Sequence, residues 1–218
     1  METGISGKAA ADAQVIAVKS FFEKYPSKLV ELKALATSGD ADAQAQLARL
    51  YFKGWGVTRD YKEALALVQK SAAQGNAMAQ FNIGVAYSFE QGVAKDETVA
   101  MKWYRLAAEG GDVLAQMNLG SRYANGNGVP KSPSEAVNWF RKAAEQGNPS
   151  AQNWLGNAYA EGQGVTRNDI EAMTWFRKSA EAGDASAPFN VGIFYANGRG
   201  VSNNMQEAAK WYLLSAER

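Results

Sequence analysis

The chain has 218 residues, 46% of them hydrophobic, which is material for a substantial core. Its 23 Lys and Arg stand against 22 Asp and Glu, so it lacks the cation excess with which a nucleic-acid binder displaces counterions from phosphates. Cysteine and histidine are both absent, which excludes disulfides, thiolate or imidazole metal sites, a Cys nucleophile and imidazole base chemistry.

The opening METGISGKAAADAQ shows neither a basic n-region nor an apolar h-region, so no signal peptide is legible there. A signal removed beforehand would place the protein in the periplasm or cell envelope, and the lack of Cys suits oxidising and reducing compartments alike. No run of 18 apolar residues occurs, so no membrane span is expected. Residues 8–24 read as a capping helix, and residues 25–39, YPSKLVELKALATSG, as the second helix of a partial repeat.

From there the sequence repeats itself. Gly56-Val57 recurs as Gly92-Val93, Gly128-Val129, Gly164-Val165 and Gly200-Val201, at a spacing of 36 each time. Gly39-Asp40, Gly75-Asn76, Gly111-Asp112, Gly147-Asn148 and Gly183-Asp184 keep the same step. Ala-Gln follows at residues 43–44, 79–80, 115–116 and 151–152, and becomes Ala187-Pro188 in the last copy. A period of this size marks a solenoid, in which each unit buries its apolar face against its neighbours.

Each copy reads as two helices, A and B. Helix A opens on the Asp or Asn after the Gly, a side chain suited to capping free backbone N–H groups. Apolar residues then recur at helical spacing, as in Leu47/Tyr51, Ile83/Tyr87, Leu119/Tyr123, Leu155/Tyr159 and Val191/Tyr195. Ala48, Gly84, Gly120, Gly156 and Gly192 follow the first of each pair and imply a close helix crossing. The G-x-G-V loop is not a phosphate cradle, which needs a preceding strand; its glycines end a helix in the left-handed conformation. Helix B begins at Asp60, Asp96, Ser132, Asn168 and Asn204, four of them with Glu three residues on. Trp103-Tyr104, Trp139-Phe140, Trp175-Phe176 and Trp211-Tyr212 supply its bulky side, a series that reads as core.

The pattern A-x-A-Q-x-x-L-G-x-x-Y-x-x-G-x-G-V…A-x-x-W-[YF]-x-x-A-A-x-x-G-[ND] closely resembles the Sel1-like repeat, a relative of the tetratricopeptide repeat, over residues 40–218. The expected division is a capping helix and partial repeat over 1–39, then repeats at 40–75, 76–111, 112–147, 148–183 and 184–218, in one continuous domain. The resemblance implies an all-α, right-handed α/α superhelical solenoid whose concave face, lined by A helices, binds other proteins. It implies a non-catalytic adaptor in signalling, quality control or bacterial cell-envelope assembly, or an immunity protein that silences a secreted antibacterial toxin. No cofactor, metal or nucleic-acid partner is expected. A carboxylate-dependent hydrolase would need two convergent acids in a pocket, and no acid breaks the repeat conspicuously.

Packing occupies the shared positions, so a binding surface is expected where copies differ. On helix A the candidate residues are Arg49, Lys53, Met78, Phe81, Val85, Phe89, Leu114, Met117, Asn153 and Asn157. They are centred on Phe81, Val85, Phe89 and Met117, with Arg49 and Lys53 at one rim and Asn153 and Asn157 at the other. Met and aromatic side chains ringed by polar ones suit an interface; the plain alternative is that the apolar ones pack against the adjoining A helix. In the second copy Glu90 replaces a glycine and Val99 the capping Glu, so a different loop shape is expected there. Leu213 and Leu214 stand where earlier copies carry Arg141-Lys142 and Arg177-Lys178, which points to a terminal interface, by self-association or beneath a cap.

Overall fold

The computed structural model describes residues 17, 20–22 and 24–217. Among them are eleven α-helices and no strand. The expected capping helix over 8–24 falls largely outside the described residues; those of it that are described are helical. Helix α1 (Pro26–Thr37) precedes five A/B pairs: α2 (Ala41–Lys53) and α3 (Tyr61–Ala73), α4 (Ala77–Ser88) and α5 (Glu97–Glu109), α6 (Val113–Asn125) and α7 (Pro133–Glu145), α8 (Pro149–Glu161) and α9 (Asp169–Glu181), α10 (Ala187–Asn197) and α11 (Met205–Ala216).

Local chemistry sets these boundaries. Asp40, Asn76, Asp112 and Asn148 each accept the backbone N–H three residues on, at 2.7–2.9 Å. Asp60, Asp96, Ser132, Asn168 and Asn204 cap the B helices in the same way. In the last copy Pro188 stands in the first turn of the A helix, α10 begins only at Ala187, and Asp184 Oδ1 accepts from Ser186 and Ala187 N–H. Every loop closes on the repeat's tyrosine: the N–H groups of Asp60, Asp96, Ser132, Asn168 and Asn204 donate to the carbonyls of Tyr51, Tyr87, Tyr123, Tyr159 and Tyr195.

The second copy's loop corrects the sequence expectation. Glu90 has φ 56, in the left-handed region where Gly54, Gly126, Gly162 and Gly198 lie in the other copies. Gln91 N–H still donates to Ala86 O at 2.9 Å and Asp96 still caps Val99 N–H. The shared hydrogen bonds outweigh a steric cost of about 1 kcal/mol for a side chain at that φ, and the loop keeps its form.

The chain divides into two compact units, Met1–Gly110 and Gly111–Arg218. In the first, Leu47, Ala48, Leu67, Val68 and Ile83 form one core, with Phe22, Leu32 and Trp103 packed against it. In the second, one cluster gathers Val137, Phe140 and Leu155, and another Met173, Phe176, Val191 and Phe194. Within the hairpins the A-helix glycine lies against the B-helix ring. A Cβ on Gly84 would stand 2.7 Å from Tyr104, and one on Gly156 2.4 Å from Phe176.

The shared glutamine has a structural task. Gln44 Nε2 donates to Ala36 O and Gln152 Nε2 to Ala144 O, both at 3.1 Å, joining an A helix to the preceding B helix. In copies one and three a second glutamine, at the B-helix C-cap, completes the bond: Gln74 Nε2 donates to Gln44 Oε1 and Gln146 Nε2 to Gln116 Oε1, at 3.1 and 2.9 Å. In copy four the C-cap is Ala182, and Gln152 Oε1 is buried without a partner. Ala182→Gln is therefore expected to stabilise the second unit by about 1 kcal/mol, the worth of one restored hydrogen bond. Urea unfolding checks this; Ala182→Leu, which fills space without a donor, should not reproduce the gain.

Candidate functional site

In the first unit, Arg49 and Lys53 are exposed one turn apart on α2. Met78, Phe81 and Val85 share a face of α4 by their spacing, and Phe89 continues it at the C-cap. Phe89 is 67% exposed, whereas Phe81 is half-buried with its ring 5.5 Å from that of Tyr104. Phe81 thus serves the core and the surface together.

In the second unit, Leu114 on α6 is 54% exposed, and Met117 is half-buried against the Val137–Phe140 cluster. Asn153 on α8 accepts a hydrogen bond from Asn190 Nδ2 of the next A helix at 3.0 Å. Asn157 is exposed and donates to Asn153 O at 3.1 Å. Phe89 and Leu114 present open apolar surface; Met117 and Asn153 have neighbours inside the stack.

Sequence reading missed one feature. A hollow of about 460 Å³ lies in the first unit, lined by Phe21, Phe22, Gln46, Arg49, Trp55 and Met78 among others. The Arg49 guanidinium sits over the Trp55 ring, 5.4 Å from its centre. Trp55 fills the x of G-x-G-V, where the other copies carry Gln91, Asn127, Gln163 and Arg199. That lone aromatic was the available signal.

The displaced titrations lie outside the hollow. Burial pushes the Tyr51 phenol up, and burial raises the Asp112 carboxyl against the hydrogen bonds of its cap. Hydrogen bonds from Arg199 and then Arg167 hold the Asp169 carboxyl down at about 2. Arg199 spans the fork, with Nη2 2.7 Å from Oδ1 and Nε 3.2 Å from Oδ2, and also donates to Ala160 O at 2.9 Å. This ties copy five to copy four and is structural. Among the described residues no group of acids is arranged to hold a metal ion, and no helix is long and apolar enough to cross a membrane.

The Asp169 tie has a pH signature. A carboxyl depressed from about 3.9 in the unfolded chain adds stability above that value, lost as pH falls toward about 2. Wild type should exceed Asp169→Asn by about 1 kcal/mol at neutral pH, with the gap closing between about pH 4 and pH 2. Paired denaturant titrations measure it, and a gap independent of pH would overturn the assignment.

Tandem two-helix units, each buried against the next within its half of the chain, with variable residues on their A helices, define an α/α repeat protein of the solenoid class. The chain belongs to the Sel1 repeat family, whose repeat matches residues 41–76, 77–112, 113–148, 149–184 and 185–218. A Sel1 repeat protein from Oxalobacter formigenes is 33% identical with a TM-score of 0.79, over 94% of this chain and 84% of that one. A protective antigen of uropathogenic Escherichia coli strains displaying an SLR fold is 42% identical with a TM-score of 0.79, over 87% of this chain. This chain spans 40% of that protein's length. A third Sel1 repeat structure, from Klebsiella pneumoniae, shares the fold at 24% identity and a TM-score of 0.53. Comparison with curated proteins returns no match. Sel1 repeat proteins bind other proteins and are generally non-catalytic scaffolds.

Proposed function

We propose that the protein is a binding scaffold whose variable A-helix residues engage a protein partner, with Arg49, Lys53, Met78, Phe81, Val85 and Phe89 as the candidate face of the first unit and Leu114, Met117, Asn153 and Asn157 as that of the second. The observation that carries this is Phe89, a large aromatic left 67% exposed at the end of a helix face that also bears Met78 and Val85. Interface centres favour such side chains. A secreted antibacterial toxin is one partner class for this face; that reading rests on the family resemblance.

Phe89→Ala separates binding from folding. With the full chain as bait and a partner captured from the native host, affinity should fall by about 2 kcal/mol or more, the cost of losing an anchor. Stability should stay within about 0.5 kcal/mol, as for a surface change. Phe81→Ala should cost about 2 kcal/mol of stability as well, since it packs on Tyr104. Undiminished affinity in both variants would reject this face.

We further infer that α11 pairs with α11 of a second copy. In the second unit Arg141 and Arg177 each donate to a tyrosine hydroxyl of the next repeat, Tyr159 and Tyr195; the equivalent Leu213 is 65% exposed. Ala216 is exposed where Ala144 and Ala180 are buried. Sedimentation of wild type beside Leu213→Lys/Leu214→Lys tests it: wild type should dimerise and the variant should not, and a monomeric wild type ends the idea.

A further inference from the structure

We propose that the hollow beside Arg49 is an anchor pocket for one bulky apolar side chain of a partner polypeptide, with an adjacent acidic residue held by the Arg49 guanidinium. This rests on the reading that the A-helix face binds protein, and names the chemistry of the segment that binds there.

The walls are apolar and come from separate elements. Phe21 and Phe22, Trp55 of the first G-x-G-V loop and Met78 of α4 all line it. The volume of about 460 Å³ lies within the range of about 300–1,000 Å³ typical of ligand sites. A side chain entering it would meet aromatic faces and a thioether that adapts to shape. The pocket adjoins the α4 strip, since Met78 belongs to both.

The rim supplies the charge. Arg49 and Lys53 lie one turn apart on α2, and among the described residues no carboxylate pairs with either. The one acid on that helix, Asp42, accepts a hydrogen bond from Asn76 Nδ2 at 2.6 Å. Stacking over Trp55 orients the Arg49 guanidinium beside the apolar wall, and a guanidinium so placed can grip a carboxylate with two parallel bonds. An uncharged apolar ligand would leave that cation unanswered. A polyanion such as nucleic acid would need more cations than these two. An acidic residue next to an aromatic or large aliphatic one answers both features.

The test uses the immobilised full chain and a phage-displayed library of random short peptides. Enriched peptides should carry Phe, Trp or Leu beside Asp or Glu. Their affinity should fall by about tenfold or more on Arg49→Glu, and equally on Gln46→Trp, which fills the hollow from its exposed rim. Both positions are exposed, so melting should match wild type, and two separate sites guard against a folding defect in one. Peptides that bind both variants normally but are lost on Phe89→Ala overturn the pocket and leave the A-helix face standing. A library from which nothing is enriched overturns the pocket, while the A-helix face is then judged by the host partner's affinity for Phe89→Ala.

Discussion

The contact between an A-helix glycine and a B-helix ring sets the spacing within the hairpins of this chain. Where Gly84, Gly120, Gly156 and Gly192 meet Tyr104, Phe140, Phe176 and Tyr212, an added Cβ would lie 2.4–2.8 Å from ring carbon. No ordinary packing tolerates that distance, so each of these hairpins has essentially one separation; the rings of Tyr104, Phe140 and Phe176 are committed to the interior, and that of Tyr212 is half-buried. The first copy carries Ala48 with Val68 at the same positions, a larger small residue balanced by a smaller large one. With spacing fixed in this way, other A-helix positions, including half-buried ones such as Phe81 and Met117, can differ from copy to copy.

Much of this was legible because the determining contacts are local or periodic. Asp, Asn and Ser caps act within three residues, and a 36-residue step lines up the glycines with their rings whatever lies between. What escaped depended on neighbours that periodicity does not name. Glu90 reads as a loop change, yet the bonds of Gln91 and Asp96 hold it in the glycine conformation. Met117 and Phe81 read as groove residues, but a variable position on an A helix lies beside a core cluster as well as solvent, and both are half-buried. The hollow was invisible because Trp55 gains its meaning from Phe21 and Phe22, more than thirty residues earlier and in no repeat register with it.

The polar groups follow the same division of labour. The caps and the Arg167–Asp169 pair act within a repeat, while Arg199 on Asp169 and the Gln44 and Gln152 amides on the preceding helix join one repeat to the next. Arg199 also lies over a ring, that of Phe194, but Arg49 differs in having no carboxylate partner among the described residues and in lining the hollow. In a chain without histidine or cysteine, this pairing of a cation with aromatic surface is what the proposed recognition rests on.

The glutamine pairing also gives the chain a rhythm longer than its repeat. Gln74 and Gln146 close the open ends of the first and third hairpins, while Gly110 and Ala182 stand at the same place in the second and fourth. Uniform geometry therefore conceals alternating latches, fastened and unfastened. Transient opening under native conditions should start from the unfastened hairpins, and amide exchange along the chain would then beat at two repeats rather than one.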